Sequence, residues 1–485
     1  YTHRNGEKIM PNKFSQISLF DIYEDVNTSF IEKKSNLVSL LEKHIDFSSL
    51  ISYEFHRAFY SNIGRKHKYH LESFIKALII QKLFAFNLDS QLIFVLKNSD
   101  TLRDFCGFDK IPDGSYFTRF KQKYCCYLAD MFHKLVDITE PICREIDAKK
   151  ADYLIFDTTG IEPYVAENNP KFLNAKLKEA KKLSKVYPQY NPYSGVYSML
   201  PNTAKASINA KQQYINGHYC YAHKVGIMTN GIGIIRNISF FDDDFKNLHS
   251  GLISKKSNNP DIDKEISDSH ALKPILSDFF AIHPDMSFST FLGDSAFDSY
   301  DNYTMLRNEF HFKRVCIPLN RRNSKQSNID FDQYGTPLCP LDKTPFIFAG
   351  KSGGKNRSPR FKWICHKSVP AGSKRICICP TPCTESSYGK CTYTYPDKDF
   401  RMYPGIPRNT EHWDNLYKHR VYIERTIFLL KDCFGLNALR THNTATIKAD
   451  VYLAAITQLI GVMLAKAIHK LMLFKSIRKL VKMIS

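Results

Sequence analysis

Two spacings of apolar residues divide the chain. Up to about Asp147 the apolar positions keep a helical period, as in Leu71, Phe74, Ile75, Leu78 and Ile79. Asp89 or Ser90 can cap the next helix, Cys106-Gly107 marks a stop, and Pro112-Asp113-Gly114 forms a turn. Ser115 is expected to cap a long helix that turns Phe117, Phe120, Tyr124, Leu128 and Met131 inward. From residue 152 the texture becomes that of strands. Residues 152–157 read as a buried strand ending in an acid. Residues 223–228 and 232–240 read as two more, with a Thr229-Asn230-Gly231 hairpin turn between them. Residues 288–292 and 312–319 supply a fourth and a fifth, with helical pattern over 299–310. Strands in sequence followed by alternating strands and helices predict a mixed α/β layer architecture.

Two stretches break this pattern. Residues 165–216 are rich in Lys, Asn, Tyr and Pro, and read as a lysine-bearing helix followed by a tyrosine-rich loop. Residues 321–412 are rich in Gly, Pro, Ser and Cys. The chain has 485 residues, enough for about three structural units. Lys and Arg number 68 against 48 acids, a net charge of +20 that points to a polyanionic partner, nucleic acid or an anionic membrane surface. The longest apolar run, Val451 to Ala465, falls short of the ~20 residues a membrane span needs, so no membrane is expected. Thirteen cysteines without a leading secretory signal read as reduced thiols of a cytoplasmic protein.

The densest chemistry lies between Tyr417 and Lys431. Tyr417, Arg420, Glu424 and Lys431 are spaced by 3, 4 and 7. On one straight α-helix that places them within an arc of roughly 60°. A charged stripe is usually a solvated face, yet this one aligns a phenol, two cations and a carboxylate. The early polar side of the helix after Ser115 carries Arg119, Lys121 and Lys123, as a helix-turn-helix reader of DNA would. A helical bundle with a solvated basic face explains the same spacing equally well.

The Tyr417–Lys431 line resembles the Tyr-x2-Arg-x3-Glu-x6-Lys signature of bacterial insertion-sequence transposases of the DDE type. Asp157-Thr158-Thr159-Gly160 resembles the segment of that family's first acid, and Gly293-Asp294-Ser295-Ala296-Phe297-Asp298 that of its second. Cys106-Gly107-Phe108 and the run from Pro112 to Phe120 resemble its amino-terminal helical region. The resemblance implies an RNase H-like mixed-sheet catalytic domain with an all-α N-terminal region and a Cys-rich insertion. The expected division is a helical DNA-binding region over 1–147, the first part of the catalytic core over 148–320, and the insertion over 321–412. The core helix with its Glu then covers 413–450, and a basic amphipathic helix covers 451–485.

Asp157, Asp294 and Glu424 lie 137 and 130 residues apart, and strand ends and a helix can bring them together. Three converging carboxylates repel unless divalent cations, ~3.5–4 Å apart as a pair, balance them and activate a phosphodiester. Oxygen ligands favour Mg2+, with Mn2+ as a substitute. Tyr417, Arg420 and Lys431 are then expected to hold phosphates of the bound DNA. Asp242, Asp243 and Asp244 stand as second-choice ligands, and Asp298 competes one turn beyond Asp294; such acids are more often caps or solvated turns.

Cys339, Cys365, Cys377, Cys379, Cys383 and Cys391 fall within 53 residues, a concentration that suggests zinc held by four of them. No true CxxC pair occurs, and unliganded cysteines in a loop-rich region weigh as much as a zinc site. Gly350-Lys351-Ser352 lacks the upstream glycine of a phosphate-binding loop, so no nucleotide triphosphate is expected. The expected activity is cut-and-paste transposition: binding of inverted repeats at the element ends, metal-dependent cleavage and strand transfer, by a homodimer on DNA in the bacterial cytoplasm, at the nucleoid. Two alternatives stay open, a metal-dependent nuclease of the same fold without strand transfer and a catalytically silent DNA-binding protein.

Overall fold

A long, largely apolar helix near the C-terminus organises the packing. The computed structural model describes residues 36–60, 67–252, 266–320, 330–354, 357–475 and 479. The N-terminal part is helical: α1 (Asn36–His44), α2 (Phe47–Leu50), α3 (Tyr53–Phe59), α4 (Leu71–Leu83), α5 (Asp89–Asn98), α6 (Asp100–Cys106), α7 (Gly114–Lys123) and α8 (Cys125–Ala151). Gly107 ends α6 in the left-handed region at φ 70°, where a Cβ would be strained. Asp113, not Ser115, caps α7, accepting from the Ser115 amide. The expected long helix breaks at Tyr124, although Phe117, Phe120, Tyr124, Leu128 and Met131 are all buried as the periodicity required.

A seven-stranded sheet comes next. It contains β1 (Tyr153–Ile161), β2 (Thr203–Ala204), β3 (Ser207–Ile215), β4 (His218–Asn230), β5 (Ile235–Phe240), β6 (Thr290–Leu292) and β7 (Arg314–Cys316). The strand order is β2-β3-β4-β1-β6-β7, with β5 pairing along the later part of β4. β4 runs antiparallel to β1, whereas β1, β6 and β7 are parallel. Helices α9 (Pro170–Val186), α10 (Pro192–Gly195), α11 (Asp243–Leu248), α12 (Asp268–Ile282) and α13 (Tyr300–Asn308) lie between the strands. The tyrosine-rich loop expected before residue 216 is in part strand β3. Its Lys, Gln and Asn leave most of it only half-buried at the sheet periphery, so no apolar alternation announced it.

Within the Cys-rich stretch, β8 (Ile347–Gly354), β9 (Arg357–Ile364) and β12 (Cys391–Thr394) form a three-stranded sheet, and β10 (Ser368–Ala371) pairs with β11 (Lys374–Cys377). Cys339, Phe346, Phe361, Trp363 and Cys365 make its small core. Gly350-Lys351-Ser352 lies inside β8.

The chain then enters α14 (Glu411–Tyr417), a 3-10 turn over Lys418–Arg420, α15 (Val421–Phe428), a π-helical turn over Leu429–Cys433, and finally α16 (Thr444–Ala467). The Asn443 side chain caps α16 by accepting from the Thr446 amide at 3.0 Å. This overturns the expected basic amphipathic helix over 451–485. Its first part belongs to α16, which is buried on all sides, packs against α4, α7, α8 and β5, and ends at Ala467. Apart from Lys466 in its last turn, the basic residues fall beyond that end: Lys475 lies over the Tyr422 ring, while Arg478 and Lys482 lie outside the described residues. Among the described residues α16 alone is long and apolar enough to cross a membrane, and 83% of its apolar window is buried by the rest of the protein.

Charges buried between the helices and the sheet fix how they fit together. Asp450 of α16 pairs with Lys82 of α4 at 2.7 Å and with Lys121 of α7 at 3.5 Å. Burial alone would raise the Asp450 pKa, but the two ammonium groups outweigh it and hold the carboxyl below its ordinary value. Lys121 also reaches Asp89 at 3.2 Å. Arg236 of β5, wholly buried, donates to the Val136 carbonyl at 3.0 Å and the Thr139 hydroxyl at 3.2 Å, both on α8. Asp450→Ala leaves two ammonium groups buried without their shared partner, and is expected to cost about 3–5 kcal/mol. Urea denaturation measures it, and a loss within about 0.5 kcal/mol of zero, as at an ordinary surface position, would refute this role.

Candidate active site

The parallel pairing of β1 and β6 sets two acids side by side. Ile155 is in register with Leu292, and Asp157 and Asp294 each lie two residues further on. Asp294, just beyond β6, caps a 3-10 turn, accepting from the Ala296 amide at 2.7 Å. Asp157 accepts from the Thr158 amide at 2.8 Å. Glu424 arrives on α15, which docks on the β4–β5 turn. That turn needs Gly233 at φ +89°, and its carbonyl accepts from the Thr426 hydroxyl of α15 at 2.8 Å and from Gln458 of α16 at 2.9 Å. A Cβ at Gly233 would stand 3.3 Å from both the Thr426 hydroxyl and the Tyr422 carbonyl, so the seat for α15 is close-fitting.

Arg420 joins the three acids. One guanidinium nitrogen, Nη2, lies 2.7 Å from Asp157 and 3.9 Å from Asp294, while Nη1 lies 2.6 Å from Glu424. The side chains of Asp157 and Arg420 are mostly buried, at 18% and 17% exposure, whereas that of Glu424 is 55% exposed. Burial pushes the Asp157 carboxyl up to about 6; Arg420 and the Thr158 amide oppose the shift, and Asp294 and Asp268 add to it. Burial likewise raises the Tyr417 phenol to about 12, with Asp294, Asp157 and Glu424 contributing, so it stays protonated at neutral pH. Tyr417 stacks on Trp413 at 6.1 Å. Three carboxylates around one cation form an all-oxygen set that fits Mg2+ or Mn2+.

Lys431 sits elsewhere. The helix carrying the line of four is not one straight α-helix, because a 3-10 turn precedes α15 and a π turn succeeds it. The wider π turn rotates its own residues, Lys431 among them, away from the Glu424 face. Lys431 is buried, and its ammonium donates to the Asn216 side chain at 2.7 Å. Of the basic residues expected to meet DNA on α7, Arg119 and Lys123 are exposed, over the rings of Tyr116 and Tyr124. Lys121 is buried against Asp89 and Asp450 and is corrected to a core residue: its place one step from Phe120 turns it inward to meet α16.

The competing acids have other partners. Asp242 caps α11 and pairs with Lys448 at 2.5 Å, and Asp244 meets the same lysine at 3.4 Å. Asp298 is fully buried against Arg401 at 2.9 Å and accepts from the Asn320 amide at 2.6 Å. Among the insertion cysteines, Cys339 and Cys365 are buried, Cys377, Cys379 and Cys391 are half-buried, and Cys383 is exposed. Among the described residues they do not bring three ligand atoms within 4.8 Å of one another. Asp268 and Asn216 were not singled out by the sequence. Asp268 opens α12, pairs with Lys224 at 2.8 Å and bears on Asp157; Asn216 closes the β3–β4 turn. Both belong to residues without periodicity, and only contacts distant in sequence give them meaning.

An acid in the middle of β1, a second just beyond the parallel strand β6, a third on a helix and a basic chain define an enzyme class that works on nucleic acid phosphodiesters. Comparison with known families agrees. Residues 26–123 match the model described as "Transposase domain (DUF772)", and residues 260–460 match the one described as "Transposase DDE domain". The chain thus carries the domains of a DNA transposase, an enzyme that acts on DNA, and its mixed sheet fits the RNase H-like arrangement broadly. Asp294, Arg420 and Glu424 fall inside the second match, and Asp157 lies before it. DDE transposases generally use divalent metals. No curated protein matches the chain.

Because the folded pKa of Asp157, about 6, exceeds its ordinary 3.8, the folded protein holds this proton more tightly than the unfolded chain. Its contribution to stability is complete below about pH 4 and is lost as pH rises through about 6. Denaturation of metal-free wild type and Asp157→Asn across that window should show the wild type losing stability relative to the variant. A difference that does not change with pH would contradict the assignment.

Proposed function

We propose that the protein is a cut-and-paste transposase that binds the inverted repeats at its element ends, cleaves them and joins the freed 3′-hydroxyls to target DNA. The observation that carries this reading is the convergence of Asp157, Asp294 and Glu424 on Arg420. These three carboxylates would hold a pair of Mg2+ or Mn2+ ions. When bound, the metal activates the attacking water or hydroxyl and stabilises the leaving oxygen. The chain itself supplies position and charge. Asp157, with its carboxyl near 6, is mostly ionised at neutral pH and so available as a ligand. Arg420, once its carboxylates are neutralised from elsewhere, is placed to make a two-pronged contact with a DNA phosphate. The protonated Tyr417 donates a hydrogen bond to the same backbone. Arg119 and Lys123 serve end binding in the helical N-terminal region.

The active species is a homodimer on DNA, because two ends must be held together, and it works in the bacterial cytoplasm at the nucleoid. Zinc held by four of the six insertion cysteines would secure that module: Cys339, Cys377 and Cys383 lie near enough to Cys365 to reinforce the effect of burial in raising its thiol pKa.

Asp157→Ala, Asp294→Ala and Glu424→Ala are each expected to lower strand cleavage by at least about 10³-fold while leaving end binding within about threefold. Cleavage assays and band shifts on element-end DNA measure both. Wild-type cleavage by any single variant removes that residue from the site. Incubating the protein with a pre-nicked end and a plasmid separates transposase from nuclease, since joined products require strand transfer. End binding in which Mg2+ changes nothing, with no cleavage under any condition, would leave a silent DNA-binding protein.

A further inference from the structure

A second set of ligands lies at the far end of β1, apart from the three acids. Glu162 comes directly after β1, and His218 and Cys220 open β4, two residues apart and so on one face of the strand. One ligand atom from each of Glu162, His218 and Cys220 lies within 4.8 Å of the others. Among the described residues no other group of three His, Cys, Asp or Glu side chains does so. The residues around them orient this set. Asn216 and Gly217 form the two-residue β3–β4 turn, both at positive φ (59° and 83°), which returns the chain so that His218 faces the end of β1. His218 Nε2 meets Glu162 Oε1 at 3.1 Å, while its Nδ1 lies 3.4 Å from the Asn216 carbonyl. The Asn216 amide donates to the same Glu162 oxygen at 3.0 Å. A histidine that presents one nitrogen to the centre and turns the other to a backbone carbonyl, beside a carboxylate steadied by an amide, has the outer partners typical of metal ligands.

We propose that Glu162, His218 and Cys220 bind one divalent metal ion of the zinc type. A thiolate and an imidazole exclude Mg2+ as the natural occupant and suit Zn2+, with Co2+ as its spectroscopic substitute. Cys220 is buried, whereas the His218 side chain is 54% exposed, so a fourth position on the solvent side stays open to water. Binding replaces the thiol proton of Cys220 by a sulfur–metal bond and releases that proton to solvent. Thiolate and carboxylate together neutralise the ion, so the cluster goes from one net negative charge to none. The ion fastens the β3–β4 turn to the end of β1. Asn216, held by Glu162 and by the Gly160 amide at 3.2 Å, is thereby fixed as the acceptor for Lys431. The site does not depend on the transposase reading, and its test involves no DNA.

The full-length protein, stripped with chelator under reducing conditions, is titrated with Co2+ and then with Zn2+, alongside Cys220→Ser and His218→Ala. The wild type should show a sulfur-to-cobalt charge-transfer absorption that is weaker in Cys220→Ser by the contribution of one thiolate. Both variants should bind about one equivalent less zinc than the wild type, or bind it at least about tenfold more weakly. Metal held by the insertion cysteines contributes equally to all three proteins and cancels in the difference. Identical spectra and stoichiometry in the three proteins overturn the proposal. Should Cys220→Ser fail to fold, His218→Ala, altered at an exposed position, decides by the same zinc titration.

Discussion

One guanidinium holds together the geometry of the candidate site. Three carboxylates brought together from a strand, the turn after a second strand and a helix face would repel, and the repulsion grows as water is removed around Asp157. Arg420 answers all three from a single side chain, which is why its own surroundings matter as much as the acids do. Its place is set by the short 3-10 turn before α15, and α15 by its seat on the Gly233 carbonyl. The parallel register of β1 and β6 sets the other side. A shift of one residue in that pairing would carry Asp157 to the opposite face of the sheet and leave Arg420 with a different partner.

The same pairing of charges recurs between the helical region and the sheet. Buried charges are costly unless paired, and here each has partners on another element: Asp450 with Lys82 and Lys121, Arg236 with the carbonyl and hydroxyl groups of α8. Such contacts specify how helices meet strands more narrowly than apolar packing does, because a misfit leaves a charge unpaired rather than a gap. The apolar helix α16 carries both kinds of contact. Its Asp450 reaches the N-terminal helices, and its Gln458 reaches the Gly233 turn beneath α15. The region that carries the exposed Arg119 and Lys123 and the region that carries the acids therefore rest on one common helix.

Much of the sheet was legible in the sequence because its strands are buried and apolar. The strands at 153, 218, 235, 290 and 314 begin within five residues of their expected starts. β3 was not legible, since a peripheral strand of Lys, Gln and Asn has no alternation to read. The line from Tyr417 to Lys431 identified Arg420 and Glu424 as neighbours of the acids, and the structure places them there. It misplaced Lys431, because a spacing argument assumes one helical pitch and the π turn breaks that assumption. Lys121 failed for a related reason: a basic residue on a short helix looks solvent-facing until a buried carboxylate from residue 450 is brought against it.

The sequence by itself determined the elements whose signals are local. Helical and strand periods come from local sequence and the cationic surplus from composition, while resemblance to a transposase signature singled out Asp157, Asp294 and Glu424. Tertiary structure alone decided which charges meet. Arg420 faces its three carboxylates, Lys121 is withdrawn into the core, and Glu162, His218 and Cys220 come within reach of one ion. The physical reason is that a charge is satisfied by whatever lies within a few ångströms, and those partners are up to several hundred residues away along the chain.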